Sequence, residues 1–224
     1  MGQAIGEFLP MAVGVAISPV PIIAVILMLF TDRARRDSLA FLLGWLLAIA
    51  LALGVLIAVA STQELGAGGE PSDSVSWAKT ILGALSILFA VREWRRRPLP
   101  GTEATMPAWM EKIDAMKPAA ALALALALSV VNPKNLLLVA GGAVAIAQAD
   151  LSSGETAVAI LTFTGIGALG VAVPTLGYLL KGEDIQPALD RSKAWLAANN
   201  TAVMAVLLLV IGATLLGKGL SSLL

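Results

Sequence analysis

The sequence predicts an all-α integral membrane protein of six transmembrane helices, built as a 3+3 inverted repeat in which helices 1 and 4 are broken. Three observations predict it. First, 58% of the 224 residues are hydrophobic, only 13% are charged, and mean hydropathy is +0.88. A soluble domain is about 45–50% apolar and ~25% charged, so this chain cannot cover itself with polar surface. Second, six apolar stretches approach the ~20 residues a helix needs to cross the hydrocarbon core. Third, lysines and arginines gather in alternate loops.

The stretches run over about Ile5–Phe30, Ser38–Ala60, Val75–Val91, Ala119–Ala149, Thr156–Leu180 and Ala202–Leu220. Runs such as LLAIALALGVLIAVA do not alternate apolar and polar residues, so the spans are helices and not barrel strands. No Lys or Arg precedes Arg33, so the first stretch lacks the positive leader of a cleaved signal peptide and reads as a retained helix. Arg33, Arg35 and Arg36 follow span 1. Arg92, Arg95, Arg96, Arg97, Lys112 and Lys117 follow span 3, and Lys181, Arg191 and Lys193 follow span 5. Twelve of the fifteen positive charges thus share one face, which the positive-inside rule makes cytoplasmic. Both termini are expected outside a plasma (inner) membrane that the chain crosses several times.

The organisation expected is one membrane domain over 1–224: a first repeat at about 5–91, a cytoplasmic loop at about 92–118 and a second repeat at about 119–220. In that loop Met106, Trp109, Met110, Ile113 and Met116 recur at helical spacing, the pattern of an interfacial amphipathic helix or of a loop with a Trp anchor. Ile185, Leu189, Trp195 and Leu196 offer a second such segment. The outer loop Gly66–Ser74 reads as a flexible turn.

Three spans per half give the halves opposite orientation. Span 1 contains Ser18-Pro19-Val20-Pro21 and span 4 contains Asn132-Pro133-Lys134-Asn135, each first proline lying 14 residues into its span. Spans 3 and 6 share Ile81-Leu82-Gly83-Ala84 and Val210-Ile211-Gly212-Ala213. Inverted repeats hold their substrate near the midplane, on discontinuous helices in corresponding positions. Proline lacks an N–H and clashes with the carbonyl four residues back, so Pro19, Pro21 and Pro133 release the carbonyls of Val15, Ile17 and Ser129. Such groups must line protein or water, not lipid. Ser18 and Asn132 can bond them or a ligand; a packing kink is the plainer alternative.

Lys134 is the sharpest signal. It stands deep in a span, where a charge costs about 2.5–3.5 kcal/mol on insertion scales. The sequence offers no acid at that depth, only the terminal Glu7 and Asp150. Lys134 is therefore expected to face a polar cavity holding a carboxylate, phosphate or sulfate, with Asn132 and Asn135 adding amide groups. A structural lysine bonded to the carbonyls released near Ser18–Pro21 is the alternative. Thr162, Thr164 and Pro174-Thr175 either line the cavity or bond backbone. Gly44, Gly83, Gly141, Gly142, Gly165, Gly167, Gly170 and Gly212 are expected to let helices approach.

With neither His nor Cys, the chain lacks the usual catalytic base, thiolate nucleophiles and the commonest metal ligands. No enzyme, metal site or cofactor is expected. Zero net charge argues against nucleic-acid binding. No G-x-x-x-x-G-K-[ST] run is present, so ATP is not used directly. No intramembrane Asp, Glu or His is found for proton coupling.

The run AISPVPIIAVILMLFTDRARRDSLAFLLGW from Ala16 to Trp45, with SVVNPKNLLLVAGG from Ser129 to Gly142, resembles the GAP-like, or sulfolipid-addressing, family of the LysE transporter superfamily. The resemblance covers nearly the whole chain. It implies a 3+3 inverted-repeat fold and a role in moving cell-envelope glycolipids or sulfolipids outward. On the matching motifs, Ser18, Asn132, Lys134 and Asn135 are the expected substrate-binding residues, and Pro19, Pro21 and Pro133 the helix-break or gating residues. The expected function is transport, or assistance to export, of an amphipathic anionic envelope lipid. Its expected partners are membrane lipids and the substrate, with a homodimer or a larger lipid exporter as further associates. The alternatives are a LysE-type exporter of amino acids or small solutes, and a scaffold for a larger exporter that transports nothing itself.

Overall fold

The computed structural model describes residues 1–62, 73–97, 113 and 116–223, and among these it contains helices and no strand. Nine helices follow one another among the described residues: α1 (Gly2–Ala16), α2 (Pro19–Leu29), α3 (Ala34–Thr62), α4 (Asp73–Arg95), α5 (Pro118–Val130), α6 (Pro133–Ala147), α7 (Ser153–Gly167), α8 (Leu169–Lys181) and α9 (Gln186–Ser221). A 3-10 turn over Gly182–Ile185 joins the last two.

The prolines decide where α2, α5 and α6 begin. Each helix starts with proline at a first-turn position, where the missing N–H is an orphan anyway and φ is already helical. A capping box starts α7: Ser152 accepts from Glu155 N, and the Glu155 carboxylate accepts from Ser152 N at 3.0 Å. Two helix pairs are bent at short breaks, α1 and α2 by 46° and α5 and α6 by 68°. The bends fall at the two expected helix breaks, Ser18–Pro19 and Asn132–Pro133. A third break, between α7 and α8 at Ala168, is absent from the sequence expectation.

By length and apolarity, two helical stretches can cross a membrane, Ala34–Val59 and Leu169–Ser221, or up to four if each bent pair is one span. This is fewer than the six expected. One reason is that Leu169–Ser221, a single stretch of 53 residues, joins the end of the fifth expected span to the whole of the sixth. The molecule is nonetheless a membrane protein by its surface. Leu39, Leu43, Leu47, Leu51 and Val55, every fourth residue of α3, are all exposed, as are Leu161, Val173 and Leu180. Apolar surface on this scale is a lipid-facing surface.

Inside, the core joins α1, α3, α6, α7 and α9 through Phe8, Met11, Trp45, Leu138, Phe163 and Leu215. Between helices in lipid, close packing of small residues replaces the hydrophobic effect. The longest helix–helix contact is α4 against α9, and glycines bring them together. A methyl group built on Gly83 would stand 2.9 Å from the Gly212 carbonyl oxygen, and one on Gly212 would stand 2.9 Å from that of Gly83. The contact is reciprocal. Gly44 lies equally close to α5, where a methyl group would meet the Leu122 carbonyl oxygen at 2.6 Å, and Gly142 takes the Phe163 ring. Gly165 faces open space, so its expected packing role does not hold.

Of the two expected interfacial segments, most of the first and the loop Gly66–Ser72 lie outside the described residues. Ile113 is buried in the main core and Met116 packs against it. The second is the start of α9, continuous with the last apolar stretch. Leu189 is buried against Ile26 and Leu29, while Trp195 is exposed.

A candidate substrate site at the paired helix breaks

The breaks at Ser18 and Asn132 share one backbone geometry. Ser18 caps α2 with φ −63° and ψ 114°, and Asn132 caps α6 with φ −73° and ψ 109°. Both are the extended conformation that a following proline imposes. At the second break Asn132 Oδ1 accepts a hydrogen bond from Lys134 N at 3.2 Å, the usual work of an N-cap asparagine. Ser18 is buried but makes no such bond. The Val15 carbonyl, expected to be released by Pro19, accepts from Ser18 N at 3.2 Å. The chain thus repairs part of the break with its own backbone.

Asn135, in the first turn of α6, is fully buried. Its Nδ2 donates to the Leu128 carbonyl across the break at 3.4 Å, and its Oδ1 has no partner. A buried amide oxygen without a donor costs about 1–3 kcal/mol, so Asn135 stands ready for a ligand's donor or a water.

Lys134 differs from the sequence expectation. Its Nζ lies 3.0 Å from Glu93 Oε2, and the two side chains are 16% and 12% exposed. The sequence shows no acid at this depth because Glu93 follows Arg92, just past the apolar stretch Val75–Val91. The bend at Asn132 and the packing of α4 against α6 bring the two ends together. Each charge opposes the dipole of its own helix. Lys134 is in the first turn of α6, the positive end, and Glu93 is in the last turn of α4, the negative end. Pairing them offsets both mismatches. The alternative of a lysine held by carbonyls near Ser18–Pro21 does not hold either.

The structure therefore gathers Asn132, Lys134 and Asn135 on one helix start and leaves Ser18 elsewhere. The Ser18 break abuts the third break: Gly170 packs directly on the Ala16 carbonyl. At that third break Val171 N bonds the Ala168 carbonyl, and the Gly167 carbonyl accepts from buried Trp45 Nε1 at 3.3 Å. The two proline breaks are connected through α1 and α6, where Gly14 meets Leu138. Thr162 and Thr175 bond the carbonyls four residues back, whereas buried Thr164 Oγ1 is unpartnered.

A second acid was missed. Asp37 is 1% exposed, lies within Ala34–Val59, and has an unpartnered Oδ1. The apolar run begins at Ser38, so a boundary drawn by hydropathy leaves Asp37 just outside. Nearby, a polar cleft of about 640 Å³ is lined by Asp32, Arg33, Arg35, Arg36, Tyr178, Glu183 and Gln186. It joins the first and third basic loops at one end of the molecule. Among the described residues no group of acids or other ligands could hold a metal ion.

The profile of one family, described as Sap, sulfolipid-1-addressing protein, matches residues 8–221. Comparison with curated proteins and with solved structures gives no match.

Proposed function

Because the chain belongs to the sulfolipid-1-addressing protein family, we propose that it moves an amphipathic, anionic cell-envelope lipid outward across the inner membrane, alone or for a larger exporter. The observation that carries the reading is the pair of proline breaks, which have matching cap geometry and lie in corresponding places of the chain. The reciprocal Gly83–Gly212 contact supports the repeat, since two-fold-related helices must meet at their own equivalent positions. On this reading the chain crosses the membrane six times, with α1–α2, α3 and α4 related to α5–α6, α7–α8 and α9. The halves rock about the breaks to give alternating access.

The head group binds at the start of α6. Backbone N–H groups of a helix start favour an anion, Lys134 supplies the charge, and Asn132 and Asn135 supply the amides. Ser18, Pro19 and Pro21 shape the corresponding break on the other half. Glu93 is the counterion of the empty site, and an incoming sulfate or phosphate ester displaces it. Lys134 is never left alone in the cycle, which makes the insertion cost of its charge tolerable.

The test is reconstitution of the protein alone into liposomes with a fluorescent sulfated glycolipid in the inner leaflet. Protein-dependent outward movement, lost in Lys134→Met/Glu93→Gln, supports transport. A folded protein that moves no lipid, while its deletion still lowers the lipid at the cell surface, makes it an assistant to another exporter.

A further inference from the structure

Of the fifteen cations, twelve lie in the three basic loops, and the other three are Lys79, Lys134 and Lys218. Lys134 is paired with Glu93. Lys218 lies 3.7 Å from Glu7. Lys79 has no hydrogen bond or ion pair among the described residues, yet the residue is only 9% exposed. It sits two turns into α4, at the opposite end from Glu93. The charged groups close enough to act on it are Glu7 and Lys218, and that carboxylate is already paired with Lys218. One turn before it on the same face, the Ser76 hydroxyl is fully buried and unpartnered. Gly219, next to Lys218, packs on Thr80 and on the Ser76 carbonyl, which fixes the α4 and α9 ends against each other. Thr80 already donates to that carbonyl at 2.8 Å.

A buried cation with a like charge beside it is costly unless an anion completes it. We propose that Lys79, with Lys218 and the Ser76 hydroxyl, forms an oxyanion site that takes a sulfate or phosphate ester at this end of the α4–α9 pair. By the charge distribution of the loops this end faces outward. The proposal deepens the lipid-export reading, on which it rests for the source of the oxyanion. It gives the head group a second station beyond Lys134, on the releasing side. Glu7 then holds Lys218 when the site is empty, as Glu93 holds Lys134.

The experiment uses the full chain in phosphatidylcholine nanodiscs and titrates three probes: sulfatide, uncharged galactosylceramide and inorganic sulfate. The parent for this titration is Lys134→Met/Glu93→Gln, which lacks the first station; sulfatide is expected to bind it and to bind its Lys79→Gln derivative roughly tenfold more weakly, the loss of about one charge-assisted contact. Lys181→Gln, on a basic loop, should bind like the parent, and galactosylceramide should not distinguish the proteins. Inorganic sulfate binding as tightly as sulfatide would support the site with a free anion as its occupant. Should Lys79→Gln fail to fold, acetylation of Lys79 in the parent is read by peptide mass spectrometry. Slowing by sulfatide but not by galactosylceramide supports the site. Unchanged sulfatide affinity in a folded Lys79→Gln, or equal acetylation with both lipids, overturns it. Failure of lipid movement in liposomes with this binding intact removes only the export reading; export intact with binding independent of Lys79 removes only the site.

Discussion

Lys134 and Glu93 show how a pair changes what a single substitution reports. Replacing Lys134 by methionine removes a costly cation but strands a carboxylate that is mostly out of water. Stranding one partner of a buried pair costs about 3–5 kcal/mol. These two keep some solvent contact, so a loss of about 2 kcal/mol is expected for Lys134→Met or Glu93→Gln, read as a lower unfolding temperature in detergent. The double variant should recover most of it, because no uncompensated charge remains. It should still fail to move lipid. Equal stability of all four proteins would mean that the 3.0 Å contact contributes nothing. Trp45→Phe makes a second test. It keeps the ring packing but leaves the Gly167 carbonyl, released by the break at Ala168, without its donor; a loss of about 1–2 kcal/mol is expected.

At the scale of elements, the breaks and the glycines carry the argument. The proline breaks were legible because proline acts locally: it fixes its own φ and the conformation of the residue before it. The break at Ala168 was not legible, since no proline or cap residue marks it. It depends on a partner 122 residues away, Trp45, taking the released carbonyl, and on Gly170 meeting Ala16. Gly170→Ala should therefore be severely destabilising, by roughly 3 kcal/mol or more, since backbone and not a flexible side chain occupies the space. Gly165→Ala, five residues earlier and facing open space, should be near neutral in the same thermal assay. The start of α7 offers a pH test. Hydrogen bonds from Ser152 hold the Glu155 carboxyl below its ordinary value of 4.5. A depressed value means the cap's contribution is complete above that ordinary value and fades as pH falls through the lower one in the folded protein. Amide exchange in the first turn of α7 should accelerate in that acid range, and Ser152→Ala should abolish the difference.

Over the whole molecule, composition alone announced a membrane protein, and the pairing of proline motifs announced where its long helices bend. What composition could not supply is depth. Hydropathy stops at the first cluster of charges, so Asp37 and Glu93, each beside an arginine, were placed outside when both are nearly enclosed. Loop charge is a different kind of information, summed over many residues and insensitive to a misplaced boundary, and it yields the last prediction. Arg33, Arg35 and Arg36 line one cleft with Glu183 and Gln186, so the first and third basic loops meet at one end of the molecule. Lys79, Lys218 and Glu7 gather at the far end of α4. Positive loops stay cytoplasmic, so Gly2 should be outside and Arg35 inside. The chain has no cysteine, so single cysteines at Gly2 and Arg35 report without background. A membrane-impermeant maleimide should label the first in intact cells and the second only after lysis. The reverse pattern would invert the protein, turning the Lys79 site into a loading site and the export reading into uptake.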